Sequence, residues 1–162
     1  MMIIYCDGAS NPHTKRSGIG AVWFEENQLI NPEDGKTLKC GEIPIYTLSE
    51  EIKKNGGYPT NNEAEYQSLI KSLKFSIEND INDVIVYMDS KLVVNQVQGL
   101  WRINFPHLQY LKNEVDKLKK NIKFKIKHIR RGYNKHADLQ SKLCLEEKII
   151  PSPSVFDAWK IN

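Results

Sequence analysis

Between Tyr66 and Met88 the spacing of apolar residues changes, and that change limits the possible folds more than any other feature of the chain. Tyr66, Leu69, Ile70, Leu73 and Ile77 fall at i, i+3, i+4, i+7 and i+11, one stripe along a helix that begins near Thr60. Asn82 and Asp83 interrupt it, and Val84–Met88 follows as an unbroken apolar run. That run is too short for a buried helix and suits a strand covered on both faces, as in a parallel sheet. Ser90 is placed to cap a further helix. Strand, helix and strand in succession imply a βαβ crossover.

Earlier in the chain, Ile3–Cys6 and Ile19–Phe24 flank the turn-rich stretch Gly8–Gly18 and are expected to form a hairpin. A third strand is expected within Thr37–Tyr46, after a turn at Asn31–Gly35, with Thr47–Pro59 as an irregular connection. Leu108, Leu111, Val115 and Leu118 mark a helix that starts at Asn104 or Pro106. Ile122–Ile129 alternates Ile and Phe with Lys123, Lys125 and Lys127, the pattern of a strand with one wet face. A last helix is expected from about Asn134 to Leu145, before Pro151 and Pro153. The order is therefore three strands, helix, strand, helices, strand, helix: a mixed sheet with helices on its faces.

The chain has 162 residues, 40% hydrophobic and 27% charged, which suits one domain able to bury its own core. No window offers the roughly 18 apolar residues of a membrane span, and Cys6, Cys40 and Cys144 lack a Cys-x-x-Cys pair. These features lead us to expect a cytoplasmic monomer with reduced thiols. The net charge of +3 hides an asymmetry: residues 112–148 carry +7, leaving −4 elsewhere. A solvated lysine face would account for the basic stretch, and so would a bound polyanion, in which case Lys117, Lys119, Lys120, Lys123, Lys125 and Lys127 supply the attraction.

Two acids follow apolar strands directly: Asp7 after Ile3–Cys6 and Asp89 after Val84–Met88. Ligand sites of open α/β sheets lie outside the carboxyl ends of strands, although an aspartate there also serves as a turn or cap. Adjacent strands lie about 4.8 Å apart, close enough for two such carboxylates to share divalent ions. Glu65, four residues before Leu69, is on the stripe facing the sheet, where an unpaired carboxylate is costly. Glu63 points about 200° away around the helix and is expected to face solvent. Asp138 lies early in the last helix between Ala137 and Leu139.

Asp7-Gly8-Ala9-Ser10-Asn11-Pro12, Thr60-Asn61-Asn62-Glu63-Ala64-Glu65-Tyr66, Asp89-Ser90 and Asn134-Lys135-His136-Ala137-Asp138 resemble, in order and spacing, the four motifs of type 1 ribonuclease H. The resemblance covers about residues 2–145, so 1–145 is read as a ribonuclease H-like catalytic domain and 146–162 as a C-terminal tail. It implies a ribonuclease H-like α/β fold, a five-stranded mixed sheet whose first three strands are antiparallel. It also implies an endonuclease that hydrolyses the RNA strand of RNA–DNA hybrids. Asp7, Glu65, Asp89 and Asp138 take the positions of the catalytic metal ligands for two Mg²⁺ ions, with Mn²⁺ as a substitute. One ion would activate the attacking water and the other stabilise the leaving 3′ oxygen, giving 5′-phosphate and 3′-hydroxyl ends. Asn61 and Asn62 match residues that reach 2′-hydroxyls and base edges in the minor groove, the feature that separates RNA from DNA. Thr60 and Asn11 match positions near the phosphates of the DNA strand. Gly8, Ala9, Ser90, Arg131 and Asn134 complete the expected substrate-binding set; double-stranded RNA is a second candidate substrate, and no membrane partner is expected.

The chain departs from the better-known members in three places. Gly99-Leu100-Trp101-Arg102-Ile103 runs almost directly into the next helix, without the basic protrusion that some relatives insert. His128-Ile129-Arg130-Arg131-Gly132-Tyr133-Asn134 lacks the Gly-His run and resembles the Val-Pro-Arg loop of archaeal-like members, with Arg131 at the arginine position; His136 is read as a helix-surface residue. Segment 26–59 is long, and the tail has no counterpart, though Val155, Phe156 and Trp159 give it an apolar side expected to dock on the domain. A resolvase- or integrase-like nuclease on the same fold, and a catalytically silent hybrid-binding module, are the competing readings; Thr60-Asn61-Asn62 argues against the first and the complete set of four acids against the second.

Overall fold

The computed structural model describes residues 1–146; the tail from 147 onward, and with it the expected docking of Phe156 and Trp159, lies outside the described residues. Five strands form one sheet in the order β3-β2-β1-β4-β5: β1 Met2–Asn11, β2 Arg16–Glu25, β3 Tyr46–Ile52, β4 Asp83–Met88 and β5 Lys123–His128. β2 pairs antiparallel with β1 on one side and β3 on the other, whereas β4 joins β1, and β5 joins β4, in parallel. The helices are α1 Asn61–Glu78, α2 Lys91–Val97, α3 Pro106–Leu118 and α4 Lys135–Leu143. This is the mixed α/β architecture expected from the pattern of periods.

The sheet separates two apolar layers. Ile4, Cys6, Trp23, Val84 and Val86 pack against the α1 stripe of Tyr66, Leu69 and Leu73 and against α2 and α3. Ile3, Tyr5, Phe24, Ile85 and Tyr87 face the other side, with Ala137 of α4. The Trp23 indole N–H donates to Ser76 Oγ at 3.0 Å, so the polar edge of this buried ring is satisfied.

The third strand is a correction. It runs over Tyr46–Ile52, not within Thr37–Tyr46, and the earlier segment contributes only a single bridge between Leu29 and Leu38. Thr47–Ile52 is polar and contains Glu50 and Glu51, residues depleted in strands, so it carries little strand signal of its own; its pairing is imposed by β2 at the sheet edge. The hairpin strands are also longer than the apolar runs, because pairing continues from Asp7↔Gly20 out to Asn11↔Arg16. Gly20 permits a close approach on this side: a Cβ there would lie 2.2 Å from Ser141 N of α4. Gly8 does the same for α1, with a built Cβ 2.3 Å from Ala64 C.

Candidate active site

Parallel pairing ends at Tyr5↔Tyr87, so the carboxyl ends of β1 and β4 lie side by side and carry Asp7 and Asp89. The start of α1 crosses this end. Thr60 caps it: Thr60 Oγ1 accepts from Glu63 N at 3.3 Å, and Glu63 Oε1 accepts from Thr60 N at 3.2 Å, a reciprocal box that fixes the first turn. Glu65, two residues on, then faces Asp7. Oxygens of Asp7, Glu65 and Asp89 all lie within 4.8 Å of one another. The Gly8 N–H donates to both Asp7 Oδ1 (3.0 Å) and Glu65 Oε2 (3.1 Å), which joins strand to helix at this point.

Crowding three acids in a half-dry cleft shifts their protonation. Burial, reinforced by the charge of Asp89, pushes the Asp7 carboxyl up to about 7. Burial and the charges of Asp7 and Asp89 raise Glu65 well above the usual carboxylate range. Burial raises Asp89 as well, against the opposing pull of Asn134 and Arg131. Asp138 behaves differently: burial acts upward on it too, but Lys142, 3.1 Å away, holds it below its ordinary value. It neighbours Asp7 yet stands outside the tight group of three.

The oxygens suit hard divalent cations. Among the described residues Asp89 Oδ2 is buried without a hydrogen-bond partner, and the cluster offers only carboxylate donors, the ligand type that such ions prefer. Cations there would relieve the repulsion that raises Asp7 and Glu65.

Around the cluster, Asn61 and Asn62 are exposed at the helix start, and Asn61 Oδ1 accepts from the Ser10 N–H at 2.9 Å. Asn11 Oδ1 accepts from His13 N, shaping the hairpin turn, and Ala9 with Asn11 borders a shallow cavity near Lys142. Ser90 caps α2 through Val93 N. Arg131 is exposed in a single 3₁₀ turn, Arg131–Tyr133, that leads to Asn134. Asn134, expected to touch substrate, is 1% exposed, and its amide donates to Cys6 O at 3.1 Å.

Glu63 corrects the sequence reading. It is buried, not solvent-facing, because capping draws its side chain back over the first turn and Lys54 Nζ binds it at 2.8 Å. The Thr-x-x-Glu spacing of a capping box was the available signal. Lys142 was also missed, although it lies one helical turn after Asp138.

A family model described as reverse transcriptase-like matches residues 5–144. The chain is 28% identical over 144 residues to ribonuclease HI of Halobacterium salinarum, covering 88% of this chain and 63% of the relative. It is 30% identical over 139 residues to a bifunctional protein of Mycobacterium tuberculosis, covering 85% of this chain but 33% of that protein, so it spans about a third of that relative. Among solved structures, ribonuclease H1 of Halobacterium salinarum superposes with a TM-score of 0.72 at 25% identity, covering 89% of this chain and 96% of that one. LC11 ribonuclease H1, solved in complex with an RNA/DNA hybrid, superposes with a TM-score of 0.70 at 28% identity, covering 90% and 100%.

Proposed function

The chain belongs to the reverse transcriptase-like family and is ribonuclease HI-like, and from that premise we propose that it is an endonuclease hydrolysing the RNA strand of RNA–DNA hybrids. The observation that carries this reading is the convergence of Asp7, Glu65 and Asp89 within 4.8 Å beside the exposed Asn61–Asn62 pair. Asp7, Glu65 and Asp89 would hold two Mg²⁺ ions, with Asp138 completing the set from α4. When bound, the ions supply Lewis-acid activation of water and charge stabilisation at the leaving 3′ oxygen.

The remaining work falls to the chain itself. The Gly8 N–H keeps Asp7 and Glu65 turned toward one another. Asn134 ties the α4 entrance to the Cys6 carbonyl of β1 and also favours the ionised form of Asp89. Lys142 keeps Asp138 ionised, and Arg131 places positive charge beside Asp89 and Asp138. Because Asp7 and Glu65 favour protonation in the cation-free cluster, loading it releases protons and is favoured as pH rises. Asn61 and Asn62 select ribose through its 2′-hydroxyl, which a DNA strand cannot offer.

End analysis of a labelled hybrid tests the chemistry. Products with 5′-phosphate and 3′-hydroxyl termini are expected, whereas 2′,3′-cyclic phosphates would exclude this mechanism. Double-stranded RNA belongs in the same assay as a second substrate.

A further inference from the structure

The basic stretch Lys117–Lys127 suggests itself as the grip on a polyanion, but the topology carries most of it away from the carboxylates. Lys123 pairs in register with Asp83, six residues before Asp89, so it lies about 20 Å down the sheet edge. Lys117, Lys119 and Lys127 are engaged by Glu114, Asp116 and Glu33.

A different group of lysines meets beside the catalytic end. β3 finishes at Ile52, opposite Ser17 of the β1–β2 hairpin, and Lys53 and Lys54 follow immediately. On α1, Gln67, Lys71 and Lys74 continue the stripe of Glu63 at intervals of one turn. Together these residues line a cavity of about 290 Å³. Two glutamates reach it: Glu63 is bound by Lys54 at 2.8 Å, and Glu50 by Lys71 at 3.5 Å between exposed side chains. Glu51 is occupied by Arg16. Among the described residues, Lys53 and Lys74 have no acidic partner within ion-pair distance, so the cavity keeps a surplus of positive charge beside Asn61 and Asn62.

We propose that this cavity holds backbone phosphates of the nucleic-acid strand flanking the cleavage point. Lys71 and Lys74 follow Glu65 by six and nine residues, roughly 9 and 14 Å along the helix. At about 3.4 Å per nucleotide, that reaches phosphates some three to four nucleotides from the carboxylates. The site thereby replaces part of the hold that a basic protrusion gives other members. The identity of the duplex rests on the hybrid-cleavage reading; the attraction for phosphodiesters does not.

The test is binding of a hybrid of about 20 base pairs to the full chain without divalent cations, across a salt series. Lys71→Ala/Lys74→Ala removes two partly exposed side chains, and an unchanged melting temperature verifies its folding. The slope of log Kd against log salt should fall by about one to two units. Lys120→Ala/Lys123→Ala, at the far end of β5, should leave the slope as it is. An unchanged slope in the first variant, or equal losses in both, overturns the proposal. Cleavage by the unaltered protein with Mg²⁺ is measured in parallel: no cleavage with a reduced slope refutes the hybrid reading alone, and cleavage with an unchanged slope refutes the phosphate site alone.

Discussion

Asp7 is 4% exposed and has carboxyl neighbours just past the end of β4 and on two helices, α1 and α4. Its carboxyl is pushed up to about 7, from 3.8 in an unfolded chain. Between those values the native state keeps a proton that the unfolded chain has released, so the stability associated with protonated Asp7 is complete below pH 4 and lost as pH rises to 7. Asp7→Asn should therefore stabilise the cation-free protein on the order of 1–3 kcal/mol at pH 8 and by much less at pH 4. Thermal unfolding at the two pH values checks this, and a variant less stable at pH 8 would contradict it. Asp7, Glu65 and Asp89 were legible because each sits where a periodic run ends or turns inward. Asn134 was legible as part of a motif but not as a buried residue, since it lies between elements, where periodicity says nothing about depth. Glu63 was misplaced because helical angle describes where a Cβ points and not where a capping side chain folds back.

The site depends on how closely whole elements approach. α1 and α4 bring Glu65 and Asp138 to β1 only because Gly8 and Gly20 leave room for helix backbone. Gly20→Ala would drive a methyl group to within 2.2 Å of Ser141 N and force α4 outward. Overpacking of this kind costs about 1–3 kcal/mol, and movement of Asp138 should lower kcat by more than tenfold with little change in KM. Circular dichroism melts and steady-state cleavage would measure both, and a variant with native stability and kcat would show that α4 is not held by this contact. Long apolar patterns made α1, β4, α3 and β5 readable. β3 was not, because it buries only Ile52 and half-buries Leu48, so Thr47–Glu51 shows almost no apolar alternation and its pairing comes from β2. The close glycine approaches were equally silent: nothing local distinguishes Gly20 from a turn glycine.

At the scale of the molecule, the mixed sheet follows from the order of elements, and the carboxylates gather because the carboxyl ends of β1 and β4 share one edge of the sheet. The charge map was less readable. A run of lysines in sequence spreads over α3 and β5 to the opposite end, while lysines 17 or more residues apart in the chain meet between β3 and α1. Among the described residues, no helix is long and apolar enough to cross a membrane. The most direct test of the whole account compares cleavage of a labelled RNA–DNA hybrid with that of duplex DNA, with and without Mg²⁺, by the unaltered chain and by Asp7→Asn. The account predicts Mg²⁺-dependent cutting of the hybrid's RNA strand alone and its loss in Asp7→Asn at undiminished folding; cutting of duplex DNA, or activity retained by Asp7→Asn, would contradict it.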